Sequence, residues 1–131
     1  MAGQIFEFTD FRPFLRHEIG EMRRFQEEQR KITVMFLRYH DADHMLKTLK
    51  ESLRSCDVIF RKNDEFFVVM PATDKEGSMH VARVLEERFG HNVVDVNATW
   101  PEDGLSEGEL LGNLSQYIRA KFDLDLMEII R

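Results

Sequence analysis

Two adjacent carboxylates, Asp64 and Glu65, stand at the point of the sequence that most suggests chemistry. They follow Asn63, and apolar, β-branched and aromatic residues occupy the flanking stretches at 58–61 and 65–70. This arrangement predicts a β-hairpin with a tight turn, in which both acids stand where the second strand begins. Paired acids at a turn can hold a hard metal ion, or they can simply be solvated turn residues. The two alternatives predict different functions, and the turn alone does not decide between them.

A second candidate for metal binding is the pair His40 and His44. Two histidines four residues apart share one face of a helix, as some zinc ligands do. No third ligand stands at a diagnostic spacing, however, and Asp41 or Asp43 can cap a helix that begins here. We therefore expect a helix start at these residues and no metal site.

Length and composition limit the class of protein. The chain has 131 residues, of which 43% are hydrophobic and 32% charged, as in a single soluble globular domain. Its net charge of −6 argues against a nucleic-acid partner, because such a partner requires a basic face. The lone Cys56 excludes an intrachain disulfide, and neither a signal peptide nor a membrane-spanning apolar run is present. We expect a cytoplasmic protein with no membrane insertion.

Apolar periodicity predicts the element order helix, strand, helix, strand, strand, helix, strand, helix. The first helix is predicted over 9–30, and its outer charged face is a candidate surface for a protein partner. The strands are predicted at 32–39, 58–61, 65–70 and 93–99, and the later helices begin at the capping stretches 41–43, 73–76 and 106–109. The order fits one α+β domain over 1–131, with a mainly antiparallel sheet of the ferredoxin-like or palm type, packed helices and a central β-hairpin. The apolar tail at 124–130 fits either a last strand or a helical turn.

Five segments, taken in order along the chain, resemble segments of GGDEF domains, the bacterial diguanylate cyclases. These segments are residues 8–15, 54–57, 63–71, 100–104 and 117–121. Residues 54–71 are similar to the family's Arg-x-x-Asp, followed by its Gly-Gly-Asp/Glu-Glu-Phe signature and an apolar strand. The signature corresponds here to Asn63, Asp64, Glu65 and Phe66, and a phosphate-binding lysine corresponds to Lys121. The resemblance implies the GGDEF fold and a place in cyclic di-GMP signalling.

Several departures from the family pattern fall at catalytic positions. Active members join two GTP molecules across a homodimer, with Mg²⁺ held by an acid on the first strand and by the first acid of the signature. Here the first strand ends in residues 36–39 without a carboxylate, and a cation such as Arg38 would repel the metal ion. Only Asn63 precedes Asp64, the guanine-reading segment is missing, and Asp125 stands where the family has an arginine. The resemblance therefore implies a degenerate domain with no catalytic residues, no enzyme activity and no Mg²⁺ cofactor.

Arg54 and Asp57 match the family's inhibitory site, which binds the product cyclic di-GMP. A guanidinium can hold a phosphate bidentately, and a carboxylate can accept hydrogen bonds from guanine. The resemblance thus implies a regulatory domain that receives cyclic di-GMP at these two residues. Other readings remain open: Arg54 and Asp57 can be purely structural, and the domain can serve only to bind a protein partner or a second copy. An active cyclase would need Asp41 or Asp43 as a replacement metal ligand.

Overall fold

The structure is a computed structural model that describes residues 4–24, 30–90 and 93–126. In chain order the elements are β1 (Gln4–Phe6), a 3₁₀ turn (Phe8–Asp10), α1 (Phe11–Arg24), β2 (Ile32–Arg38), α2 (Ala42–Ser52), β3 (Val58–Lys62), β4 (Glu65–Pro71), α3 (Lys75–Phe89), β5 (Val94–Trp100) and α4 (Glu107–Phe122). The strands form one five-stranded sheet in the order β1-β3-β4-β2-β5. Strand β1 runs parallel to β3, and every other neighbouring pair is antiparallel. The predicted α+β fold with a mainly antiparallel, palm-type sheet is confirmed.

Helices cover both faces of the sheet. Helices α1 and α4 pack on one face and α2 and α3 on the other, so that two apolar clusters form. Strands β2 and β4 lie in the middle of the sheet and are buried on both sides, at residues 32–37 and 66–70. A strand buried on both faces is apolar at nearly every position instead of alternating, which explains the continuous apolar runs in the sequence. None of the described helices is both long and apolar enough to cross a membrane.

The predicted hairpin is confirmed, and its first strand is one residue longer than expected. Lys62 pairs with Glu65 across the turn formed by Asn63 and Asp64. Asn63 has a φ of 59°, in the left-handed region that asparagine tolerates better than most residues. Asparagine at this position can therefore adopt the backbone angle that the tight turn requires.

The N-terminal part differs from the prediction in two respects. Helix α1 begins at Phe11 after the 3₁₀ turn and extends to Arg24, and Arg30 lies outside any helix, so the predicted helix over 9–30 was too long. Residues 25–29 of that prediction fall outside the described residues. Strand β1 was not predicted, because three residues are too few to show an alternating pattern.

Most of the tail predicted at 124–130 also lies beyond the described residues, although Leu126 is buried in the core.

The helix starts confirm two predicted caps and correct a third. Asp41 caps α2 and Ser106 caps α4, each accepting a hydrogen bond at 3.2 Å from the backbone amide three residues further along. Helix α3 is capped by Asp74 at 2.9 Å, and the predicted cap by Thr73 was wrong. The Thr73 hydroxyl instead accepts a hydrogen bond from Arg54 at 2.6 Å.

Candidate functional site

Arg54 lies in the short connection between α2 and β3, and its guanidinium is held by three other residues. Its Nε and Nη2 donate to the Asp57 carboxylate at 3.3 and 2.9 Å. Its Nη2 also donates to the Pro71 carbonyl at 2.7 Å and to the Thr73 hydroxyl at 2.6 Å. These contacts fix the guanidinium against the end of β4. Among the described residues, Nη1 of Arg54 has no hydrogen-bond partner.

Asp57 is the buried member of this pair. Its side chain is only 4% exposed, whereas that of Arg54 is 50% exposed. The Asp57 carboxylate also accepts from the Arg54 backbone amide at 2.9 Å, so both of its oxygens are engaged by the same residue. The hydrogen bond to Asp57 is the main reason why the pKa of Arg54 lies above its ordinary value, and partial burial of Arg54 acts in the opposite sense. In this conformation Asp57 orients Arg54 and is itself closed to solvent.

A cleft of about 460 Å³ opens beside Arg54. Its walls come from the end of α2, the α2–β3 connection, the end of β4 and the first turns of α3. Lys31 and His80 also line it, and Lys31 is paired with Glu102 at 2.7 Å. The volume lies within the range of small-molecule pockets, roughly 300–1,000 Å³. Lys31 and His80 were not predicted as site residues, because both lie far from Arg54 along the chain and belong to no motif.

The signature-like turn lies at the other end of β3, beside the cation Arg38. Arg38 pairs in register with Glu65, and its Nε is 3.8 Å from the Asp64 carboxylate. Partial burial raises the pKa of Glu65, and the charge of Arg38 opposes that rise. Phe66 points into the core. The expected closeness of Arg38 to the acids is therefore confirmed, and no group of three or more His, Cys, Asp or Glu side chains in the described parts of the chain is placed to hold a metal ion.

The two histidines do not share a helix face. His40 precedes α2, and its ring centroid is 4.4 Å from that of Tyr39. His44 lies in the first turn of α2, where its ring meets Phe89 edge to face at 4.8 Å. Both contacts are ordinary aromatic packing, which agrees with the expected helix start.

Lys121 lies near the end of α4, apart from both of the other sites. Its Nζ is 5.3 Å from the centre of the Phe122 ring, and it lines a cavity with Glu86 and Asp95 at the outer edge of β5.

The structure thus brings Arg54 together with Asp57, and Asp64 with Glu65. These two pairs stand at opposite ends of β3, a five-residue strand about 17 Å long at roughly 3.3 Å per residue.

Solved structures with the same fold include GGDEF domains. A DGC protein from Thermotoga maritima is 19% identical, with a TM-score of 0.67 over 86% of this chain and 95% of that chain. A GGDEF domain from Pseudomonas aeruginosa is 16% identical, with a TM-score of 0.62 over 86% and 88%. The GGDEF domain of DgcB from Caulobacter crescentus, in complex with c-di-GMP, is 14% identical, with a TM-score of 0.54 over 89% and 84%. No protein-family model matches the sequence, and no curated protein gives a significant match. The GGDEF-type fold expected from the sequence is confirmed.

Proposed function

We propose that this chain is a non-catalytic GGDEF-type regulatory domain that binds cyclic di-GMP in the cleft beside Arg54. The observation that carries this proposal is the fixed guanidinium of Arg54, which lines the cleft and keeps Nη1 available to a ligand. A guanidinium held in this way suits a phosphate diester, which needs a directed donor as well as a positive charge. The complex of the Caulobacter crescentus GGDEF domain with c-di-GMP supports the choice of ligand.

In this proposal the cleft residues have different roles. Arg54 contacts a phosphate of the ligand, and Asp57 is a positioning residue because its carboxylate is buried against Arg54. Lys31 and His80 line the same cleft and provide further polar contacts. Lys121 lies elsewhere, so it takes no part in this site.

The charge at the signature-like turn supports the absence of catalysis. A diguanylate cyclase needs a divalent ion at the signature acids, and here the Arg38 guanidinium is 3.8 Å from Asp64. A positive charge at that distance repels a Mg²⁺ ion, and it is paired with a carboxylate that the ion would need as a ligand. The residues of the turn therefore do not fit a Mg²⁺ site, and we assign no reaction step to it.

Calorimetric titration with cyclic di-GMP tests the binding site. We expect wild-type protein to bind, Arg54→Ala to bind at least about tenfold more weakly, and Arg54→Lys to fall between them, because lysine keeps the charge but loses the planar fork. Arg88→Ala is the matched control, since Arg88 is an exposed α3 arginine that does not line the cleft. Thermal unfolding of each variant separates a lost contact from a lost fold. Unchanged binding in a folded Arg54→Ala variant would reject the site.

Titration with GTP and Mg²⁺ tests the non-catalytic part of the proposal. We expect neither Mg²⁺-dependent binding at the turn nor product, whereas turnover of GTP would reject this part. If neither nucleotide binds, the alternative of a protein-interaction or dimerisation module is favoured. Its specific support is the exposed Ile5 and Phe6 on the outer strand β1, which are 43% and 36% exposed. Sedimentation analysis over a range of concentrations would then detect self-association.

A further inference from the structure

A cavity of about 370 Å³ at the outer edge of β5 contains an unusual pair of side-chain oxygens. In the described part of the chain, three buried side-chain oxygens have no hydrogen-bond partner, namely Asp95 Oδ2, Asn97 Oδ1 and Thr48 Oγ1. The first two belong to β5, and both of their residues line this cavity. Buried polar atoms without partners are uncommon in proteins, so two on one strand call for a physical cause.

The register of the sheet explains why Asp95 faces α3. Asp95 pairs with Leu37 and Asn97 with Met35 across the β2–β5 ladder. Leu37 and Met35 belong to the apolar cluster on the α2 and α3 side, and cross-strand partners point to the same side of a sheet. Asp95 is therefore directed towards α3, where Glu86 lines the same cavity.

Four other polar or charged side chains line the same cavity as Asp95. Glu86 and Arg83 come from α3, and Tyr117 and Lys121 come from α4. Burial, and then the negative charge and hydrogen bond of Glu86, raise the pKa of Asp95 to about 6, while the charge of Lys121 acts in the opposite sense. The Asp95 carboxyl thus keeps its proton to a higher pH than an ordinary aspartate does, beside the carboxyl group of Glu86.

We propose that Asp95 and Glu86 form a proton-operated clasp between β5 and α3, which a shared proton closes and loss of that proton opens. With the proton present, one carboxyl donates to the other and ties the helix to the strand. Without it, two carboxylates face each other, and the sealed Asp95 Oδ2 has no donor to compensate it. Repulsion and desolvation then favour separation of the C-terminal half of α3 from β5 and entry of water into the cavity.

The clasp should stabilise the fold more at low pH than at high pH, because the pKa of Asp95 is raised in the folded protein. The folded pKa of Asp95 is raised from its ordinary 3.8, so the folded state holds the proton more tightly than the unfolded chain does. The stabilisation by the clasp is complete below the ordinary pKa and is lost as the pH rises through about 6. Helix α3 should therefore be held most firmly in acid.

Amide hydrogen exchange of α3, corrected for the intrinsic exchange rate, tests the clasp between about pH 5 and about pH 7.5. We expect protection of residues 82–89 to fall by about tenfold in wild type, the factor that corresponds to one pKa unit. Asp95→Asn and Glu86→Gln should abolish that fall, because an amide donates to the remaining carboxylate at every pH. Glu87→Gln is the matched control and should behave as wild type, since Glu87 is an exposed neighbouring acid that does not line the cavity.

The outcomes either support or overturn the clasp. A pH-dependent loss of protection that persists in folded Glu86→Gln would overturn it, and so would constant protection in wild type. Glu86 is exposed, so its substitution leaves the fold intact even if Asp95→Asn does not fold. The ¹³C shift of the Asp95 carboxyl provides an independent measurement, and a midpoint near its ordinary value would also reject the proposal.

Discussion

Among the glycines in the described part of the chain, Gly104 is the one at which an added methyl group should destabilise the fold most. It follows the turn after β5, with a φ of 150°, a backbone conformation that residues with a side chain rarely adopt. A Cβ added there would lie 2.5 Å from the Leu110 amide nitrogen and 2.8 Å from the Glu109 carbonyl carbon. Both atoms belong to the backbone of the first turn of α4, so they cannot move aside as a flexible side chain would. We therefore expect Gly104→Ala to displace the start of α4 from the turn.

The magnitude combines two effects. Overpacking of a filled site costs about 1–3 kcal/mol, and a strained backbone conformation costs a similar amount. We expect Gly104→Ala to lower the free energy of unfolding by about 2–5 kcal/mol, a large share of the roughly 5–15 kcal/mol of a typical domain. Urea unfolding followed by circular dichroism measures this, and the midpoint should fall by about 1–2 M.

Gly112→Ala is the matched control for this experiment. Gly112 lies on the exposed side of α4, and a Cβ there would meet nothing within 4 Å. Alanine is the better helix former, so this variant should be more stable by about 0.5–1 kcal/mol. If Gly104→Ala unfolds at the same urea concentration as wild type, the turn does not approach the backbone of α4 as closely as described, and the predicted destabilisation is wrong.

Three further changes have defined outcomes. Burial raises the pKa of Asp103, but hydrogen bonds from Thr99, Tyr117 and Lys75 outweigh it and lower that pKa. The ionised Asp103 therefore stabilises the fold above its ordinary pKa of 3.8, and this stabilisation is lost as the pH falls through the folded pKa. Asp103→Asn should accordingly flatten the acid side of the curve of stability against pH. Glu107, only 5% exposed, accepts from two α1 arginines at 2.8 and 3.0 Å, and Glu107→Gln should cost about 1–3 kcal/mol in urea unfolding. Arg54→Ala strips the buried Asp57 of its side-chain donors and should cost about 1–2 kcal/mol without any ligand, as measured by thermal unfolding.

The centre of the fold could be predicted because its signals are local. The apolar runs of β2 and β4 and the Asn63 turn between β3 and β4 each act within a few residues. The closeness of Arg38 to the turn acids could also be predicted, because the resemblance placed both at one end of the sheet. For the two strands and the turn, the physical cause lies within a few neighbouring residues.

Other features depend on contacts between distant residues. Strand β1 is defined by its parallel pairing with β3, and nothing within its three residues indicates that partner. Thr73 and Asp74 are both good caps, and Asp74 takes that role in α3 while Thr73 accepts from Arg54. The cleft beside Arg54 also depends on distant residues, since its walls come from separate parts of the chain.

The restraint on Arg54 has a consequence for the entropy of binding. An arginine that is free in solution loses rotamer freedom when a ligand immobilises it, at a cost of about 0.5–1.5 kcal/mol. Here the bonds to Asp57, Pro71 and Thr73 have already removed that freedom during folding. The loss of Arg54 rotamer freedom is therefore part of the free energy of folding. Binding of an anion to Nη1 would not have to include this entropic cost. In the proposed binding site, weakening the Asp57 anchor should then reduce affinity through entropy, although Asp57 is assigned no contact with the ligand.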